Sequence, residues 1–234
     1  MTRRLAFIAT AGLIGAAALL TLGTVLSGSG WASATYFWKG GSTCGPASGT
    51  QQQMTLPFIA GDSLVIDLPG SIDYRPGEKA ELVVSGDPAL LGHLRIEPGR
   101  LVLDCAPGWS ASRLDVKITG PAITTWDLLG NSDLTLSQIN QRELEMNIKG
   151  SGNSSATGTA DTVHLSISGS GEARFGGLNT RSAVVEIRGS GDAKVSAEGD
   201  ADVSIYGSGN VELSGNPTMR RSDIRGNGRI VHSP

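Results

Sequence analysis

The sequence predicts an all-β fold, a right-handed parallel β-helix with about 20 residues per coil. Three observations predict it. The first is a Gly-centred turn that returns 18 to 20 residues apart, at Gly130, Gly150, Gly169, Gly189, Gly207 and Gly226. The second is alternation on both flanks of each turn. Two residues before the turns stand Leu128, Ile148, Ile167, Ile187, Ile205 and Ile224, and six after them Leu136, Ala156, Phe175, Val195, Leu213 and His232, with mostly polar residues between. Period two means a strand with one buried face. The third is that each column stays apolar from unit to unit. One strand pair cannot bury such a face, whereas stacked pairs share a core, with neighbouring coils about 4.8 Å apart. An antiparallel meander with Gly-rich hairpins would explain the alternation. It would not explain a fixed period with two strands in constant phase.

The elements follow in order. Residues 1–34 read as a signal peptide or N-terminal membrane anchor. Arg3 and Arg4 precede an uncharged stretch over 6–26, and Ala32-Ser33-Ala34 is a small-residue cleavage site. Uncleaved, the stretch is long enough to span a bilayer, with Trp31, Tyr36, Phe37 and Trp38 in the interfacial belt. Either outcome exports the rest of the chain. Residues 35–53 form a loose Gly- and Gln-rich lead-in. Residues 54–122 carry strand signals without the regular turn, separated by Pro-Gly breaks such as Pro69-Gly70 and Pro98-Gly99, and are expected to be irregular first coils. Residues 123–234 hold the regular repeats and a terminal cap, where Arg220, Ser222 and His232 replace the apolar columns.

Glycine supports the corners. At Gly150 and Gly152, Gly169 and Gly171, Gly189 and Gly191, Gly207 and Gly209, and Gly226 and Gly228, each turn has two glycines around one small polar residue. A corner repeated in every coil needs positive φ or a close backbone approach, and glycine meets both needs. Cys44 and Cys105 are an even pair in an exported chain, so a disulfide is expected, two buried thiols being the alternative.

The GSGN, GSGE and GSGD turns with their aliphatic flanks resemble the bacterial family called putative auto-transporter adhesin, head GIN domain. The ending Gly215-Asn216-Pro217, then a strand, then Gly226-Asn227-Gly228, is similar to that family too, as is the opening segment from Ser63 to Val84. The likeness covers about residues 58–232. It implies a β-helix and an exported envelope protein of unknown biochemical role, with no catalytic residues to carry over. The chain departs from the pattern at Gly130-Asn131-Ser132, which lacks the second glycine.

Chemistry is sparse. The formal charge of −3 and the lack of a basic stripe exclude a nucleic-acid partner. No nucleophile elbow, P-loop or zinc-protease motif is present. His93, His164 and His232 have no ligand spacing, and no catalytic residue, metal or cofactor is expected. Glu172 and Asp192 follow their turns, but Asn153 and Asn210 stand in the alternate coils, which speaks against a calcium row. The expected function is a non-catalytic exported module of the cell envelope, in the periplasm or at the cell surface of a bacterium. It would bind a glycan or an envelope protein, with the membrane reached only through residues 6–26 if these are retained. The alternative is a carbohydrate-active enzyme, by fold analogy alone, with Glu186, Asp202 and Asp223 as outward carboxylates. For binding, one strip stands out. One residue before the turns the outward column reads Lys149, Ser168, Arg188, Tyr206, Arg225, and three before it reads Asn147, Ser166, Glu186, Ser204, Asp223. Arg188, Tyr206, Arg225, Glu186 and Asp223 are thus the candidate ligand-binding residues, against the simpler reading of a solvated, charge-balanced face.

Overall fold

A computed structural model describes residues 43–59, 61–106 and 113–233. The signal or anchor segment and its flanking aromatic residues lie outside them. In chain order the strands are β1 (Gln52–Pro57), β2 (Ser63–Asp67), β3 (Gly70–Pro76) and β4 (Glu81–Gly86), then one helical turn α1 (Pro88–Leu91). After it come β5 (Leu94–Glu97), β6 (Arg100–Leu103), β7 (Leu114–Gly120) and β8 (Thr125–Gly130). The regular part holds β9 (Asp133–Gly150), β10 (Asn153–Gly169), β11 (Glu172–Gly189), β12 (Asp192–Ser196), β13 (Asp200–Gly207), β14 (Asn210–Ser214), β15 (Thr218–Gly226) and β16 (Arg229–Ser233).

From β8 onward all pairing is parallel, and equivalent residues meet: Ile148 with Ile167, Ile167 with Ile187, Ile187 with Ile205. The chain is a β-solenoid of about five turns with about 20 residues per coil. The apolar columns form one core, in which Phe175, Ile187 and Ile205 are fully buried. The connection expected between paired strands is itself largely extended chain. In β9 it passes Gln138 at φ 57°, and in β10 it passes Gly158 at φ 123°.

The corners are backbone ladders. The Ser190 amide donates to the Gly169 carbonyl at 2.9 Å, and Ser208 to Gly189 at 2.8 Å. A Cβ on Gly189, where φ is 128°, would sit 2.3 Å from the Gly169 oxygen. A Cβ on Gly209 would sit 2.0 Å from the Gly191 oxygen. The glycines are needed because the carbonyl of the coil beneath fills the space of any side chain. The departure at Ser132 has a local answer. Its hydroxyl is buried and donates to the Leu68 carbonyl in the coil beneath. That coil turns through Leu68-Pro69-Gly70, a different corner with room for the serine.

The first coils do not stack in chain order. β3 lies between β7 and β9, parallel to both, and β2 lies between β6 and β8. The chain therefore lays down β2 and β3, places β6 and β7 on their outer side, then crosses back to continue with β8. β4 closes that end as the antiparallel neighbour of β7, and β1 pairs antiparallel with β4 beyond it. Buried aromatic residues pin the crossing. The Tyr74 hydroxyl donates to the Pro121 carbonyl at 2.8 Å, its ring meets Trp126 edge-on at 5.0 Å, and the Trp126 indole donates to the Ile123 carbonyl. Burial raises the Tyr74 phenol above its ordinary range. At the other end β15 and β16 leave one edge without a partner among the described residues. Arg220, Arg221, Arg225 and Arg229 lie on these strands, and edge charges discourage pairing with another chain.

The start of the described chain is tied down twice. Cys44 and Cys105 form a disulfide, and the Cys44 amide donates to the Ala106 carbonyl at 3.1 Å. A few residues on, the Asp87 carboxylate accepts the Ser48 amide at 2.7 Å, the Gly49 amide at 3.2 Å and the Ser48 hydroxyl, while also capping α1 through the Ala89 amide at 2.9 Å.

Two predictions follow from these contacts. Gly209→Ala will lower stability by about 1–3 kcal/mol in a denaturant titration, as overpacking does, while exposed Lys194→Ala stays within about 0.5 kcal/mol. The Asp87 carboxyl is held below its ordinary range, foremost by the Ala89 amide, with Ser48 and Gly49 adding and burial opposing. A depressed folded value means that the stabilisation is complete above the unfolded value and is lost as pH falls through the folded one. The protection of the Ser48 and Gly49 amides, relative to their intrinsic exchange at each pH, will therefore fall below about pH 4. In Asp87→Asn the exchange will be fast already at neutral pH, without that acid step.

Candidate functional site

The candidate strip is built by register. Glu186 meets Ser204 and Ser204 meets Asp223, while Arg188 meets Tyr206 and Tyr206 meets Arg225. All five candidates thus lie on one outward face, in two adjacent columns on β11, β13 and β15. Stacking decides what these side chains touch. The Arg188 guanidinium lies 5.8 Å from the Tyr206 ring centre and that of Arg225 lies 5.4 Å from it. They come from the rungs before and after, so the ring is held between two cations. Each arginine also reaches back two residues along its own strand. Arg188 pairs with Glu186 at 2.5 Å and Arg225 with Asp223 at 3.3 Å, with Arg221 also 4.0 Å from Asp223. The arrangement is an ionic seam around an aromatic ring. It presents the edge of Tyr206 to solvent, and a sugar that stacked on the ring face would have to displace an arginine.

Elsewhere the outward columns repeat the pattern. Asn153 donates to Asp133 at 2.8 Å and Asn210 to Asp192 at 2.8 Å, so each asparagine of this column donates to the carboxylate on the rung before it. Lys194 meets Glu212 at 2.8 Å. His164 is half-exposed, 3.7 Å from Glu143. His93, Asp104 and Cys105 converge within 4.8 Å. The Cys105 sulfur is bonded to Cys44, and Asp104 pairs with Arg95 at 2.5 Å and with His93 at 2.7 Å, so the cluster is an ion-pair network beside the disulfide. The corner glycines named from sequence stand in the corners, as backbone spacers. Sequence reasoning missed the second bend of the coils, for which Gly158, and Gly177 in register with the neighbouring Thr157, were the local signal.

Two cation–π contacts at half-exposed positions are worth about 0.5–1 kcal/mol each. A double-mutant cycle between Arg188→Ala and Tyr206→Phe, and another between Arg188→Ala and Tyr206→Ala, will give coupling of that size only for the alanine pair.

Comparison with known proteins bears on the whole architecture. A solved structure of a protein described as a putative adhesin, from Bacteroides fragilis NCTC 9343, is 19% identical, with TM-score 0.62 over 80% of this chain and 99% of that one. A second, described as a putative adhesin from Parabacteroides distasonis ATCC 8503, is 17% identical with TM-score 0.54, covering 80% and 98%. A third from the same organism, described as a putative lipid binding protein, is 19% identical with TM-score 0.52, again covering 80% and 98%. These likenesses establish the fold. No curated protein matches the sequence significantly. The model of one family matches residues 62–217, more than half of the 234-residue chain. The chain belongs to that family, the putative auto-transporter adhesin, head GIN domain.

Proposed function

We propose that this chain is an exported, non-catalytic adhesion module, a rigid stack whose outward columns meet a partner in the bacterial envelope or on a neighbouring surface. The observation that carries this reading is the register of the stack, which returns the corner glycines to one column from Gly130 to Gly226 and is interrupted only by local bulges near Ala156 and Ala201. Side chains are displayed in columns about 4.8 Å apart, on a backbone braced at every corner. Such a surface suits many weak contacts repeated along one direction, where strength comes from avidity. The family and two of the structural relatives bear the adhesin description, which agrees with the reading. The disulfide suits an oxidising compartment.

The enzyme alternative finds less support. Glycoside hydrolysis needs two carboxylates facing one bond, one of them protonated. Glu186 and Asp223 are instead each paired with an arginine on their own strand.

The test is incubation of the pure exported protein with bacterial envelope polysaccharide. The expected outcome is saturable retention with no rise in reducing ends. Release of reducing ends that Glu186→Gln or Asp223→Asn abolishes would favour the enzyme reading. Absence of retention on every envelope fraction would count against adhesion.

A further inference from the structure

On the side of the coil away from the Gly-Ser-Gly corners, three successive rungs contribute the same kind of tripeptide. These are Asn140-Gln141-Arg142, Thr159-Ala160-Asp161 and Asn179-Thr180-Arg181. Register places them in columns: Thr159 pairs with Asn140 and with Asn179, and Ala160 with Gln141 and with Thr180. The middle column is recessed, with Ala160 and Thr180 buried, and the two flanking columns are exposed. The result is an open trough of about 410 Å³ running along the stack. It continues to Glu198, on the next rung, whose amide donates to the Thr180 carbonyl at 3.0 Å.

The floor is chemically quiet. The Gln141 amide folds back onto the Ile123 and Glu143 carbonyls, and the Thr180 hydroxyl donates to the Ser196 carbonyl. The walls are different. Arg174 and Arg188 in the same coils each have a carboxylate partner. Among the described residues Arg142 and Arg181 have none within ion-pair distance. Neither do Asp161 and Glu198, although Asp161 lies between the two arginines in register. The opposite wall offers Asn179 and the Asn140 amide, whose oxygen already accepts the Thr159 hydroxyl at 3.0 Å.

We infer that this trough is a binding site for a neutral linear oligosaccharide lying along the stack axis. Two cations and two anions leave the walls with no net charge, which does not favour a polyanion. Guanidinium, carboxylate and carboxamide groups each bond two adjacent hydroxyls, the chemistry that a sugar chain presents in every residue. The wall groups recur at the rung spacing of about 4.8 Å, close to the length of one pyranose residue in an extended chain. Four rungs span about 14 Å, room for three such residues. Among the described residues no aromatic ring lines the trough, so recognition rests on hydrogen bonds and each copy binds weakly. The inference rests on the adhesion reading and gives it a ligand class and a place.

The experiment is an array of neutral and anionic oligosaccharides probed with the parent and with Arg142→Ala/Arg181→Ala, both checked for equal melting. A second variant, Asn179→Ala, is probed in parallel. The parent is expected to retain neutral linear chains of three or more residues, and the arginine variant to bind them at least about tenfold more weakly, the loss of one or two charge-assisted bonds. Preference for anionic chains would overturn the assignment. So would equal binding by the parent and both variants, or no neutral chain bound by the parent. Envelope retention by the parent in any of those cases would leave the adhesion reading standing and remove only the trough.

Discussion

The structure depends on how closely the backbone of one coil can approach the next at the corners. In a strand the ladder of hydrogen bonds forms without special residues. At a corner the chain turns and side chains would crowd the carbonyls beneath. Here the ladder continues through the turn, with the amides of Ser151, Ser170, Ser190, Ser208 and Asn227 each donating to a glycine carbonyl of the preceding coil. Glycine on both sides of that residue makes the approach possible. Each such bond is worth only about 1 kcal/mol net. Its larger effect is on register, because a coil that slipped by one residue would drive a side chain into a carbonyl and turn the core columns outward.

Register then organises everything outside the backbone. Since equivalent residues stack, an outward side chain meets its counterpart on the next rung before it meets solvent. Arg188 and Arg225 close on Tyr206 from both sides for that reason, and Asn210 reaches Asp192. Exposed pairs of this kind stabilise little, yet they decide which groups remain available to a partner. The seam around Tyr206 is internally matched. The trough between the Asn140 and Arg142 columns is not, and its charged groups are left facing the open groove.

Much of this was legible in the sequence. The repeat, the buried columns and the outward frame followed from period and alternation, and Phe175 and Ile187 lie in the core as that frame requires. The cysteine pairing was expected from the even count together with the export read into the N-terminus, and the disulfide is present. Other features were hidden for physical reasons. The spatial order of the first coils depends on β7 pairing with β3 across the 37 residues between Pro76 and Leu114, where no local pattern records the partner. The clamp on the lead-in comes from Asp87, which by sequence is an ordinary helix cap. Ser154 sits in a core column with no hydrogen-bond partner for its hydroxyl among the described residues, which alternation alone could not foretell. In the strip, sequence placed the five residues on one face. It did not show that the arginines would turn inward along the rungs, because that depends on distances between coils.

Amide hydrogen exchange at the corner serines tests the central constraint most directly. If the ladder runs through the corners, Ser170, Ser190 and Ser208 will exchange as slowly as the core strand amides of Val185 and Val203, through the same global opening. Exchange of the corner amides at the rate of exposed turns, while the strands stay protected, would contradict the account.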